Sequence, residues 1–130
     1  SMPEKKLVKT GTEWEPLVGY CRAVRVGAHV AVSGSAPVGE NGELVGAGDM
    51  YLQTRRCIEI IAAALAETGA GLEDVVRTRI FVTDIDRWKD VAKAHREFFA
   101  DVTPACSMVE VSRLIGPDML VEIEADAIIS

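Results

Sequence analysis

Aromatic residues are scarce in this chain, at 5% of its 130 positions, and histidine occurs only at His29 and His95. With 48% apolar residues, the core must come from Val, Ile, Ala and Leu, a composition suited to a sheet packed on helices. No stretch approaches the ~20 consecutive apolar residues of a membrane span, and no basic-then-apolar leader opens the chain. A cytoplasmic protein with no membrane partner is therefore expected. Cysteine is limited to Cys21, Cys57 and Cys106. An odd count without close spacing argues against a disulfide scaffold and a zinc motif, and suits a reducing compartment. Positive charge is also short, with 14 Lys and Arg against 20 Asp and Glu for a net charge of −6. Such a balance repels phosphate backbones, so nucleic acid is not an expected partner. The glycine-rich "GENGELVGAG" (39–48) lacks the lysine and preceding strand of a phosphate loop. No three well-spaced metal ligands occur, and no cofactor is expected. Ser1 reads as a tag remnant ahead of the natural Met2, which leaves one domain over residues 2–130, without linker or repeat.

What is there is periodic. "YCRAVRVG" (20–27) and "HVAVSG" (29–34) read as a hairpin about Gly27-Ala28. "DMYLQTRRCIEIIAAALAETG" (49–69) carries apolar residues at helical spacing, with Asp49 to cap its start and Gly69 its end. "DVVRTRIFVTD" (74–84) is β-branched and reads as a strand. "DRWKDVAKAHREFFADV" (86–102) is a second helix with Trp88, Val91, Ala92, His95, Phe98 and Phe99 on one stripe. "CSMVEVSRL" (106–114) and "LVEIEADAII" (120–129) alternate as strands about the turn "IGPD" (115–118), and a first strand near Lys6-Leu7-Val8 is possible. This order predicts an α+β domain, a mixed sheet with both helices packed on one face. The 74–84 strand is apolar on both sides, with Val76, Ile80 and Val82 facing one way and Phe81 the other. A sheet of this kind should bury its bare face against another copy.

Three features could carry chemistry. Cys106 reads either as a nucleophile or as a small hydrophobe at a strand edge; His95 reads as a core or interface residue, and nothing places His29 near the thiol. Glu122, Glu124 and Asp126 alternate onto one strand face. Glu110 could approach them if its strand pairs through the 115–118 turn. This acidic row reads as an ion-paired interface or solvated face, or as acids able to position a water.

Taken together, "GYCRAVRVGAHVAVSGSAPV" (19–38), "QTRRCIEIIAAAL" (53–65), "RTRIFVTDIDRW" (77–88), "REFF" (96–99) and "PACSMVEVSRL…VEIEADAI" (104–128) resemble the RidA, or YjgF-like, family. The resemblance implies a chorismate-mutase-like fold and a homotrimer with small-molecule clefts between subunits. Archetypal members hydrolyse enamines and 2-imino acids to keto acids and ammonia. An arginine after a Pro-Ala-type dipeptide grips the substrate carboxylate, and a tyrosine and a glutamate complete the site. The matching positions are Tyr20 and Glu122 as catalytic residues, with Ser33, Gly34 and Ala105 as ligand-binding neighbours. The arginine position holds Cys106. A thiol has neither positive charge nor a fork of donors, and losing such a contact costs on the order of 2–5 kcal/mol, roughly 30- to several-thousand-fold. Weak or absent deaminase activity is thus expected, unless Arg79 or Arg22 supplies another cation. The alternatives are an active deaminase, a non-enzymatic ligand sensor or chaperone-like protein, and a disfavoured endoribonuclease or translation inhibitor.

Overall fold

Alternation of apolar residues builds the sheet, and a capped amphipathic helix covers it. Residues 4–130 are described in the computed structural model; the expected tag remnant Ser1 and domain start Met2 lie outside them. The chain runs β1 (Lys5–Val8), α1 (Trp14–Val18), β2 (Ala23–Val26), β3 (His29–Ser35), α2 (Met50–Thr68), β4 (Val75–Val82), α3 (Trp88–Phe99), β5 (Ala105–Glu110) and β6 (Val121–Ile128). The six strands lie in the order β1-β2-β3-β6-β4-β5, antiparallel except for the parallel pair β4–β5. This is an α+β mixed sheet, as the sequence pattern predicts.

The helix boundaries have clear causes. Asp49 accepts a hydrogen bond from the Leu52 amide at 3.0 Å and so caps α2. Gly69 ends it in a left-handed conformation, φ 87°. Between these caps Met50, Cys57, Ile58, Ile61 and Leu65 are fully buried. They meet Val30, Val32, Ile80, Val82, Val121 and Ile123 from the sheet. Truncating Ile58 or Ile61 to alanine there costs about 2–5 kcal/mol. No helix among the described residues is long and apolar enough to cross a membrane.

The structure corrects four expectations. The first is the pairing of the last two strands. β5 pairs only with β4, and β6 inserts between β3 and β4. The α3 crossover sets β5 parallel at the sheet edge, so Glu110 does not join the acidic row; it accepts from the Ile85 amide at 3.1 Å. Second, an irregularity between Val75 and Arg77 reverses the alternation. Val75 and Thr78 then face the core, and Val76 is 43% exposed. Third, α3 buries Val91, Ala94 and Phe99, with Trp88 turned to solvent at 49% exposure. Fourth, the five-residue α1 forms where the sequence pattern predicts no helix.

Candidate functional site

Gly34 and Glu122 approach each other closely where β3 meets β6. A β-carbon on Gly34 would lie 2.7 Å from Glu122 Oε2, so the carboxyl group rests directly over the glycine backbone. Ser33 precedes it, and its hydroxyl donates to the Cys21 carbonyl at 2.7 Å. Tyr20 follows the left-handed Gly19 that ends α1, with its amide on the Glu15 carbonyl at 3.1 Å. Tyr20 and Ser33 both line a cavity of about 680 Å³. Lys5, Leu7 and Lys9 enclose it from the β1 side, with Glu15 and Pro16 from α1.

The electrostatics are uneven. Burial pushes the Glu122 carboxyl above the ordinary value of 4.5; the nearby Arg22 guanidinium opposes this and Glu124 adds to it. Arg22 itself donates through Nη2 to the Gly34 carbonyl, while its Nε is buried without a partner among the described residues. Glu15 is held differently. Its carboxylate accepts from the Thr10 and Thr12 hydroxyls at 2.7 and 2.9 Å and from both their amides. Burial raises its pKa, but these hydrogen bonds outweigh that and hold it below the usual range. Arg79 pairs with Asp126 at 3.1 Å and Glu124 at 3.4 Å, offsetting part of the charge of those two acids.

One chain therefore seats Glu122 on Gly34, next in sequence to Ser33, which shares a cavity lining with Tyr20. It does not bring Ala105 and Cys106 to them. From β3 to β5 the sheet steps across β6 and β4, about 14 Å at the usual strand spacing. Cys106 is exposed at the edge and pairs in register with Thr78. Thr78 Oγ1 shares a 2.9 Å hydrogen bond with His95 Nε2, and the His95 ring lies 4.6 Å from that of Phe99. His95 is thus a packed residue whose burial lowers its pKa below 6.5. Arg79 lies beyond Glu124 and is occupied by its ion pairs. Cys57 is buried, and that burial raises its pKa. Among the described residues no three His, Cys, Asp or Glu groups come together as metal ligands.

Lys5, Lys9 and Glu15 also line the cavity, and the sequence pattern did not single them out. The signals for them are nevertheless present: Lys5, Leu7 and Lys9 alternate as one strand face, and Thr10 and Thr12 precede Glu15 at a spacing that permits local hydrogen bonds.

A six-stranded mixed sheet with two main helices, and a glutamate seated on a Ser-Gly strand beside a tyrosine-lined cavity, define the class as the α+β YjgF fold. Residues 10–129 match the Endoribonuclease L-PSP family, and the chain belongs to that family, the RidA or YjgF group. A RutC family protein of Pyrococcus abyssi is 39% identical over 124 residues, covering 95% of this chain and 96% of the relative. The 3-aminoacrylate deaminase RutC of Acinetobacter baylyi is 35% identical over 126 residues, covering 97% and 98%. Among solved structures, a YjgF/YER057c/UK114 family member from Mycobacterium tuberculosis superposes with a TM-score of 0.89 at 47% identity, covering 97% of this chain and all (100%) of that one. TdcF of E. coli with bound serine gives a TM-score of 0.82 at 27% identity, covering 100% and 98%.

Proposed function

We propose that this chain binds a small carbonyl or imine metabolite in a cleft completed between copies of itself in a homotrimer, and that its hydrolysis of ordinary 2-imino acids is weak. The observation that carries the reading is the seat of Glu122 on Gly34 beside Tyr20 and Ser33, with an uncharged thiol at the arginine position. The family includes a relative named for enamine deamination and a structure holding an amino acid, which supports a small polar ligand here.

In the reaction Glu122 takes a proton from water as the water oxygen adds to the C=N carbon. It passes that proton to the nitrogen to give a carbinolamine, then takes the hydroxyl proton and delivers it to the nitrogen as the C–N bond breaks. Ammonia leaves and a carbonyl remains. A carboxyl group whose pKa is raised by burial is suited to both transfers. The Tyr20 hydroxyl, which has no hydrogen-bond partner among the described residues, is free to hold the substrate. What Cys106 does not supply is the fixed bidentate grip on a carboxylate next to the imine carbon.

The test is hydrolysis of 2-iminobutyrate, generated in place by a threonine dehydratase. The expected result is a slow wild type, and a rise of at least about tenfold in Cys106→Arg as a charge-assisted contact is restored. A wild type that is fast, and indifferent to the substitution, defeats the reading.

A further inference from the structure

We infer that Arg22 is a positioning residue of this site: its guanidinium pins the bulge of β3 on which Glu122 rests and keeps a positive charge beside that carboxyl. This deepens the proposed reading, and rests on it in taking Glu122 as the group that draws a proton from water.

The bulge sets the geometry. Val32 stands opposite Ala125 and Ser35 opposite Ile123, so Ser33 and Gly34 of β3 face the single residue Glu124 of β6. An extra residue of this kind interrupts the ladder and re-aims what lies on it. Here it sets Gly34 against the Glu122 carboxyl. The bulge is held by the segment just before β2. The Arg22 amide donates to the Val8 carbonyl at 2.7 Å, and the Arg22 carbonyl accepts from the Ser33 amide at 3.0 Å. The Ser33 hydroxyl adds its bond to the Cys21 carbonyl. With its backbone fixed on both sides, Arg22 takes the Gly34 carbonyl through Nη2.

That contact does not use up the guanidinium. Nε is buried with no partner, and no carboxylate lies within ion-pair distance of Arg22 among the described residues. A buried cation with an unspent donor needs a negative charge close by. Glu122 is that charge, and the field of Arg22 reaches its carboxyl. The other neighbours of Glu122 do not replace Arg22. Glu124, on the same strand face, repels the carboxyl and is itself paired with Arg79 of β4. The residue opposite on β4 is the uncharged Phe81. The Cys57 thiol of α2 is kept neutral by burial. A general base must be ionised to accept a proton, and burial alone drives a carboxyl toward its neutral form. Arg22 opposes that drive from a fixed point.

The test is a carbon-13 NMR titration of the Glu122 carboxyl in the full chain, its signal assigned by its loss in Glu122→Gln. Substitution Arg22→Gln should raise the midpoint by about one pH unit. Arg22→Lys, which restores a cation, should bring it back toward the wild-type value. A residue that serves packing alone would destabilise both variants to urea and leave the titration unmoved, and that result overturns the inference. The wild type supplies a second check that needs no variant of Arg22 to fold. The nitrogen-15 signals of the Arg22 guanidinium should shift with the same midpoint as Glu122, and signals that ignore it overturn the inference as well. Hydrolysis of 2-iminobutyrate above its spontaneous rate, measured in the Cys106→Arg background, separates this inference from the reading beneath it. The acid limb should move up with the carboxyl when Arg22→Gln is added. A limb that stays while the carboxyl moves supports the hold of Arg22 on Glu122 and brings down Glu122 as the base.

Discussion

At the residue scale, Gly34 controls where Glu122 can be. A β-carbon at this position would meet, at 2.7 Å, the far end of a flexible side chain, so Gly34→Ala does not crush the backbone. It should cost less than about 1 kcal/mol in urea unfolding, because the carboxyl can swing away. It should nonetheless abolish most of the imine hydrolysis measured in the Cys106→Arg background, since the water-activating group leaves its seat. Loss of stability without loss of turnover would reverse this account and make Gly34 a packing residue. The pairing of Gly34 with Glu122 is also where sequence is most informative: the Ser-Gly dipeptide and the last-strand glutamate are both legible from motif alone. Their contact is not, because it joins residues 88 positions apart in the chain by register, which local spacing does not encode.

At the element scale, α3 is tied to β4 by one polar contact in an apolar setting. His95 is neutral where it packs on Phe99 and meets Thr78, and burial depresses its pKa from 6.5. The native state therefore binds fewer protons than the unfolded chain in the window just below 6.5. Stability contributed by the neutral ring is present above that value and is lost as pH falls toward the lowered one. His95→Gln keeps a group that can bond Thr78 but does not titrate. Urea unfolding at pH 7.5 and 5.5 should show the wild type losing more stability than the variant on acidification; equal losses would place the acid sensitivity elsewhere. The elements also show the limits of pattern. α2 is legible because nineteen residues of 3.6-periodicity and two caps agree. The edge position of β5 is not, because two alternating strands joined by a turn read as a hairpin whether or not they pair. Here the α3 crossover puts β5 beside β4, and the loop after Glu110 carries the chain across β4 to reach the β3–β4 gap. α1 is hidden for another reason: five residues with Pro16 inside offer no period to detect.

At the scale of the whole molecule, the sheet order separates the two halves of the inferred cleft. Tyr20, Ser33, Gly34 and Glu122 gather around β3 and β6, and Cys106 stands at the far edge on β5. The bare face also carries Phe81 and the half-buried acids of β6, with Val109 47% exposed, apolar surface of the kind that a second copy covers. If the β5 edge of one copy closes the cleft of the next, chemistry lost in two different chains can be recovered by mixing them. A chain with both Cys106→Arg and Glu122→Gln has the introduced guanidinium but no water-activating carboxylate, and its own oligomers should be inactive. The wild type has Glu122 and no guanidinium. Unfolding the two together and refolding them should create clefts that take the introduced arginine from one copy and Glu122 from its neighbour. Hydrolysis of 2-iminobutyrate by the mixture should then exceed that of either parent, and should peak near equal proportions. Activity that merely follows the fraction of wild type would mean that each chain builds its site alone, and the edge strand would have no part in it.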